Sequence, residues 1–223
     1  MKFVVIEGLD GSGKSTQINL LKEFLAEKRI QYKYLHFPRT DSPVFGELIA
    51  KFLRGELGEI DTVNPYLIAL IYAGDRNDAK EMIKEWINEG YFVLTDRYVI
   101  SNIAFQGAKI QNLKERESLK KWILNFEFTY NKLPKPDLNI FLDVPFKFTI
   151  SSLSQAREGE DRDYLKGNRD IHEENLEFQK KVREVYLSLL DEDDSIRVID
   201  CSSAEGNILE PKKIFDKIIK IVF

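Results

Sequence analysis

Eight consecutive residues, Gly8-Leu9-Asp10-Gly11-Ser12-Gly13-Lys14-Ser15, satisfy every fixed position of the pattern G-x-x-x-x-G-K-[ST], and Thr16 follows them. Glycines let a backbone wrap closely around an anion and turn its N–H groups inward. A helix opening near Lys14 would add its free N–H groups and the positive end of its dipole. The Lys14 ammonium suits the outer phosphates of a bound triphosphate, and the Ser15 hydroxyl suits a phosphate-bound Mg²⁺. At ordinary residue frequencies the match arises by chance in roughly one chain in a hundred of this length. Gly8, Asp10, Gly11, Ser12, Gly13, Lys14, Ser15 and Thr16 are therefore expected to hold ATP. Asp10 is the odd member, because a carboxylate repels a triphosphate, so it requires a second purpose.

Other charged residues fall at the ends of apolar runs. Tyr91-Phe92-Val93-Leu94-Thr95 leads into Asp96, a carboxylate placed to hold Mg²⁺ directly or through water. Arg97 follows at once, and Arg39 follows a second run, Tyr32 to Phe37. Guanidinium groups at such positions can grip a phosphate in two-pronged fashion.

The elements that must position these groups are legible as alternating patterns. Short apolar runs at 3–6, 32–37, 91–95, 138–143 and 195–200 read as strands. Amphipathic stretches at 14–28, 43–53, 64–88, 113–128, 146–156, 172–190 and 208–221 read as helices; Ile18, Leu21 and Leu25 share one face of the first, and Pro65 sits in the first turn of the third. This alternation predicts an α/β fold, a doubly wound parallel sheet of five strands flanked by helices, with right-handed crossovers. Its carboxyl edge, where ligands bind, would collect the cradle, Arg39, Asp96 and Arg97. A single domain spanning 1–223 is expected. The charged, glycine-containing stretch 157–170 reads as a surface loop within it.

The chain has 223 residues, 33 Lys and Arg against 37 Asp and Glu, and a formal net charge of −4. That balance argues against nucleic acid as a main partner. With 43% hydrophobic and 12% aromatic residues the chain can build a large core. A single cysteine, Cys201, excludes an intrachain disulfide, and two distant histidines, His36 and His172, leave little for a histidine metal site. Apolar runs are strand-length, so no membrane span is expected, and the N-terminus lacks a signal-peptide pattern. A cytoplasmic protein is the expectation.

The ordered set formed by the cradle, Phe37-Pro38-Arg39, Asp75-Arg76, Asp96-Arg97-Tyr98, Ser101-Asn102, Phe105-Gln106-Gly107 and Arg157…Asp161-Arg162 resembles the thymidylate kinases, P-loop nucleoside monophosphate kinases. The resemblance implies transfer of the γ-phosphoryl of ATP to dTMP with Mg²⁺, and a homodimer. It further implies that Arg39 and Arg97 hold the acceptor phosphate and that Asp10 meets the sugar 3′-hydroxyl. Tyr72 would stack on thymine, Arg76 would donate to O4 and Asn102 would pair with N3–H, with Ser101 in the same substrate-binding motif. Phe105 takes a place where several relatives carry Tyr, near the sugar C2′, and Pro38 would meet the thymine methyl. The stretch 157–170 would be the LID that closes over ATP. Because Gly11 offers no side chain to the transferring group, Arg157 and Arg162 become the candidates for a catalytic cation beside Lys14 and Arg97. Two other readings compete: a kinase for a different nucleoside monophosphate, and a nucleotide-binding switch with no acceptor pocket. A DNA-dependent ATPase fits poorly with the negative charge.

Overall fold

The computed structural model describes residues 2–60, 62–154, 164–166, 170–190 and 193–223. Five strands, β1 (Phe3–Gly8), β2 (Tyr32–His36), β3 (Phe92–Asp96), β4 (Leu138–Asp143) and β5 (Ile196–Asp200), form one sheet in the order β2-β3-β1-β4-β5. Every pairing is parallel, as the alternating pattern predicts. The central strand β1 is buried along its whole length. Phe3 and Val5 enter one core with Val93, Phe141 and Ile103, whereas Val4 and Ile6 enter the other with Ile18, Leu21, Ile214 and Ile218. A strand covered on both faces reads as an unbroken apolar run rather than as an alternation.

The helices among the described residues are α1 (Lys14–Glu27), α2 (Phe45–Leu53), α3 (Pro65–Asp78), α4 (Lys80–Asn88), α5 (Val99–Gly107), α6 (Leu113–Leu124), α7 (Phe146–Ser154), α8 (Ile171–Glu174), α9 (Leu176–Ser188) and α10 (Pro211–Val222). Three expected helices are interrupted. The stretch 64–88 divides at Ala79, just after Asn77 and Asp78, weak helix formers; Asp78 turns to the Arg39 guanidinium. The stretch 172–190 restarts at Asn175, whose side chain caps α9 by accepting from the Phe178 N–H. The stretch 113–128 passes from α6 into a π-helical segment, Asn125–Tyr130, that carries Glu127 into the interior. Helix α5 was not separated from its surroundings by periodicity. All nine of its residues are buried, and a helix buried on every side shows no amphipathic stripe.

The ends of β1, β2 and β3 meet at one edge. Ile6 stands opposite Asp96, and His36 stands opposite Asp96 from the other side. This edge places the cradle, Asp96 and Arg97 side by side.

Candidate active site

The cradle follows β1 directly. Gly11 and Gly13 have φ of 74° and 82°, in the left-handed region that glycine tolerates, and Gly13 caps α1. Gly8 is required by close approach: a Cβ there would stand 2.5 Å from the Ser12 Oγ. Ser12 Oγ is buried with no protein partner among the described residues, a donor held ready for an anion. Lys14 is expected to be open to ligand, yet it is only 9% exposed. Its Nζ donates to the Leu9 carbonyl at 2.9 Å and the Gly8 carbonyl at 3.4 Å, because those carbonyls are the nearest acceptors inside the turn. Burial first, and then the Arg97 charge, depress its pKa to about 8.

Arg97 is built into the site rather than laid on its surface. Its backbone has φ 64°, and its own N–H donates to the Ile6 carbonyl at 2.9 Å. Its Nη2 donates to Asp10 Oδ1 at 2.6 Å, its Nη1 donates to the Ser101 hydroxyl at 3.1 Å, and its guanidinium lies 4.8 Å from the Phe105 ring centre. Asp10 also accepts from Gln179 Nε2 at 2.8 Å. Burial alone would raise the Asp10 pKa, but Arg97, Lys14 and Gln179 outweigh it and hold the carboxyl well below the usual range. Behind this pair, fully buried Glu7 accepts from the Tyr98 N–H at 3.0 Å, the Tyr186 hydroxyl at 2.9 Å and the Ser101 hydroxyl. Ser101, expected in the substrate contact, therefore gives its proton to Glu7, and what it offers Arg97 is position.

Arg39 stands at the cavity wall with its fork largely closed. Its N–H and Nε donate to the Asp75 carboxylate, both at 2.9 Å, and its Nη2 donates to Asp78 at 2.7 Å and to the Asp75 carbonyl at 2.8 Å. The Asp75 carboxylate thus turns to Arg39 and not to its neighbour Arg76. Arg76 instead makes a two-pronged bond to Glu127, Nε at 2.5 Å and Nη2 at 2.7 Å. Asn102 Nδ2 donates to the same Glu127 and to the Ala69 carbonyl, both at 3.0 Å.

One cavity of about 1440 Å³ collects the cradle from Asp10 to Thr16, Pro38, Arg39, Tyr72, Arg76, Asp96, Arg97, Ser101, Asn102 and Phe105. Apart from Gly8, which lies behind the turn, the sequence-predicted residues on described positions therefore share one chamber. Arg157 and Arg162 lie outside the described residues. The cavity also takes in Asp170 and His172, which the motifs do not signal. The His172 ring packs 5.1 Å from Phe105, 5.3 Å from Phe178 and 5.5 Å from Phe52. Burial holds its pKa down to about 3, so it is neutral at physiological pH. Glu127 and Gln179 escape motif reading too; for Glu127 the available signal is a lone carboxylate within the aromatic run Phe126-Glu127-Phe128-Thr129-Tyr130.

Asp170 accepts from the His172 N–H at 2.8 Å and from the Tyr164 hydroxyl at 2.9 Å. Burial, followed by the Asp10 charge, pushes its pKa up to about 7. Between about pH 4 and 7 the folded chain keeps a proton that the unfolded chain has released, so stability falls as pH rises across that window. Asp170→Asn abolishes the ionisation and keeps an oxygen to cap α8. The variant should melt higher than the parent at pH 8, by on the order of 2 kcal/mol, with the gain gone at pH 4. Thermal unfolding at both values checks the sign; a variant that melts lower at pH 8 than the parent refutes it.

For a divalent cation the site offers Asp96 and Ser15. Asp96 Oδ1 is buried with no protein partner among the described residues, while Oδ2 lies 3.4 Å from His36 Nδ1. Burial works against this carboxylate, but His36, Lys14 and Arg97 outweigh it and keep its pKa below the usual value. Among the described residues no cluster of three or more His, Cys, Asp or Glu could hold a metal alone. Mg²⁺ commonly keeps waters and phosphate oxygens with one or two protein ligands, so this sparse donor set fits it.

The family model for thymidylate kinase matches residues 6–210. The chain is 36% identical over 204 residues to a probable thymidylate kinase of Pyrobaculum aerophilum, covering 91% of this chain and 89% of that one. It is 33% identical over 192 residues to the thymidylate kinase of Plasmodium falciparum, covering 86% and 79%. The solved structure of thymidylate kinase from Candida albicans superposes with a TM-score of 0.72 at 27% identity, over 99% of this chain and 90% of that chain. With a P-loop, an arginine-lined chamber and these relatives spanning most of its length, the chain belongs to the thymidylate kinase family.

Proposed function

We propose that this chamber transfers the γ-phosphoryl of ATP to dTMP, giving dTDP and ADP, in the following way. ATP lies on the cradle, with the N–H groups around Gly11 and Gly13, the Ser12 hydroxyl and Lys14 taking its phosphates. Mg²⁺, held at Ser15 and Asp96, would neutralise phosphate charge. The dTMP phosphate meets Arg97, assisted by Arg39; Asp10 orients Arg97 and accepts from the sugar hydroxyl. The base lies toward Tyr72, Arg76 and Asn102, with Phe105 along the sugar and Pro38 near the thymine methyl. The observation that carries this reading is that the cradle and the Arg76–Asn102 pair line the same cavity, with Arg97 also on its wall. A nucleotide switch needs only the first of these.

Transfer between two anions requires cations around the moving group, since the protein mainly positions and neutralises. Gly11 supplies no side chain for this. We assign the further cation to Arg157 and Arg162, and alanine at both should lower kcat by at least ~10²-fold, the scale of losing one preorganised donor, with dTMP affinity little changed. Near-normal turnover in the double variant would hand the task to another group.

ADP production across dTMP, dUMP, dCMP and dGMP tests the whole reading. We expect dTMP to lead, dCMP to be strongly rejected, and dUMP to trail by the ~1–3 kcal/mol of one methyl group. The relative from Candida albicans is described as having broad substrate specificity, which makes the panel informative about selection as well as activity. No ATP consumption with any monophosphate would favour the switch.

No helix among the described residues is long and apolar enough to cross a membrane, compatible with a cytoplasmic enzyme. A homodimer is also proposed. Leu67 and Leu70 are exposed on α3, beside a ladder in which Tyr66 meets Trp122 and Trp122 stacks on Phe126 and Phe126 on Tyr130. A second copy of the chain is the occupant this face suits, and sedimentation showing only monomer would dismiss it.

A further inference from the structure

We infer that Glu127, which lies on the π-helical segment behind the chamber, is a positioning residue that fixes the hydrogen-bonding polarity with which the chamber reads the base. This rests on the assignment of Arg76 and Asn102 to the base. Glu127 is fully buried, as is nearly all of Arg76 and Asn102. Its Oε1 accepts from both Arg76 Nη2 and Asn102 Nδ2, and its Oε2 accepts from Arg76 Nε. One carboxylate therefore consumes two specific donors of Arg76 and one end of Asn102.

What remains is set by subtraction. Of the Arg76 guanidinium nitrogens, Nη1 is the one that no described residue accepts from, and it can only donate. In Asn102, two acceptors, Glu127 and the Ala69 carbonyl, pin the NH₂ end. Its Oδ1 is left buried with no protein partner among the described residues. The pair thus presents a donor-only group, the free edge of Arg76, beside an acceptor, Asn102 Oδ1. A pyrimidine with a 4-carbonyl and an N3–H meets that pattern, whereas one with a 4-amino group and a bare N3 meets donor with donor and acceptor with acceptor. An asparagine amide can ordinarily rotate to suit either partner; anchored on Glu127, it cannot. The π-helical turn has a role here, since Asn131 N–H reaches back to the Phe126 carbonyl at 2.9 Å and the widened turn carries Glu127 inward.

Glu127→Gln tests the inference because it keeps shape and one acceptor while removing the charge and setting a donor against Arg76. Two ratios of kcat/KM, and KM for ATP, are read on the parent and the variant. We expect the dTMP to dCMP ratio to fall at least tenfold, mostly through KM for dTMP. The dTMP to dUMP ratio should stay within twofold, because uracil shares O4 and N3–H with thymine. KM for ATP should be unchanged. A parallel fall for all acceptors, or an unaltered dTMP to dCMP ratio, overturns the role and leaves Glu127 as a buried structural ion-pair partner. The same panel on Arg76→Gln separates the two layers: if that variant also leaves the dTMP to dCMP ratio unaltered, the base assignment itself fails; if it collapses the ratio and Glu127→Gln does not, only the role of Glu127 fails. Should Glu127→Gln not fold, Glu127→Asp carries the comparison, with a threefold fall in the dTMP to dCMP ratio expected and an unaltered ratio overturning the inference.

Discussion

Lys14→Ala should lower kcat by on the order of 10³-fold while the protein remains as stable as the parent. The catalytic half follows from charge. The transferring phosphoryl spreads negative charge over three oxygens, and Gly11 leaves Lys14 as the side-chain cation of the cradle itself. The stability half follows from what the ammonium endures without ligand. Burial and the Arg97 charge together depress its pKa to about 8, so the free protein gains little from keeping it charged. Its hydrogen bonds to Gly8 and Leu9 are to carbonyls of a loop whose backbone is already fixed by β1 and α1. Removing it trades two modest bonds for relief of a desolvated cation. Turnover measured at saturating ATP and dTMP, beside a thermal melt, checks both halves. Wild-type turnover in a folded variant would remove the cradle assignment; a collapsed melting temperature would show that Lys14 holds the loop together.

The candidate residues read from chemistry alone, without the resemblance, share one property: each lies in a locally spaced motif or at the end of an apolar run. The cradle needs eight adjacent residues, and Asp96 and Arg97 end a strand that is visible as a strand. The sheet followed from the same logic, because strands buried on both faces stand out against amphipathic helices. What stayed hidden works at long range or lacks a stripe. Asp75 holds Arg39 across 36 positions and Arg76 holds Glu127 across 51, pairings that no local spacing signals. Gln179 reaches Asp10 across 169 positions. Helix α5 carries Ser101, Asn102 and Phe105 into the chamber, yet burial on all sides erased its periodicity. The π-helical turn likewise goes with long-range partners, the Glu127 contacts to Arg76 and Asn102, whereas the breaks at Ala79 and Asn175 follow local features, the weak formers Asn77 and Asp78 and the Asn175 cap.

Glu7 shows how such hidden groups support the visible ones. Burial raises its pKa, against which the Ser101 hydroxyl, Arg97 and the Tyr186 hydroxyl pull in the opposite direction. Its acceptors tie the chain just after Arg97, through the Tyr98 N–H and Ser101, to the end of β1. The orientation of Arg97 toward the cavity is thus set by the strand that also launches the cradle. The cradle and Arg97 are thus registered to each other by Glu7 and by the direct Asp10–Arg97 pair.

That registration makes Arg97→Ala the more severe of the two arginine substitutions. Arg97 places Nη2 on Asp10 and Nη1 on Ser101, and its guanidinium lies over the Phe105 ring on the cavity wall. A phosphate arriving there meets a guanidinium already held in place, so little ordering entropy opposes the contact. Losing a charge-assisted, two-pronged contact costs on the order of 2–4 kcal/mol, which is roughly a 30- to 1000-fold fall in kcat/KM for dTMP. Arg39→Ala should cost less, about tenfold by the scale of one ordinary hydrogen bond, because two carboxylates, Asp75 and Asp78, already neutralise its charge where Arg97 is paired with Asp10 alone. ATP affinity should not fall with Arg97→Ala. Arg97 is one of the charges that depress the Lys14 pKa, so its removal leaves Lys14 more fully protonated and ATP binding undiminished. Arg97→Lys keeps the charge but loses the fork, and should fall between parent and alanine variant. Steady-state kinetics with dTMP varied, together with calorimetric titration of ATP alone, separates these effects. If ATP binding weakens as steeply as dTMP use, Arg97 serves the donor side, and the acceptor phosphate must be sought at Arg39.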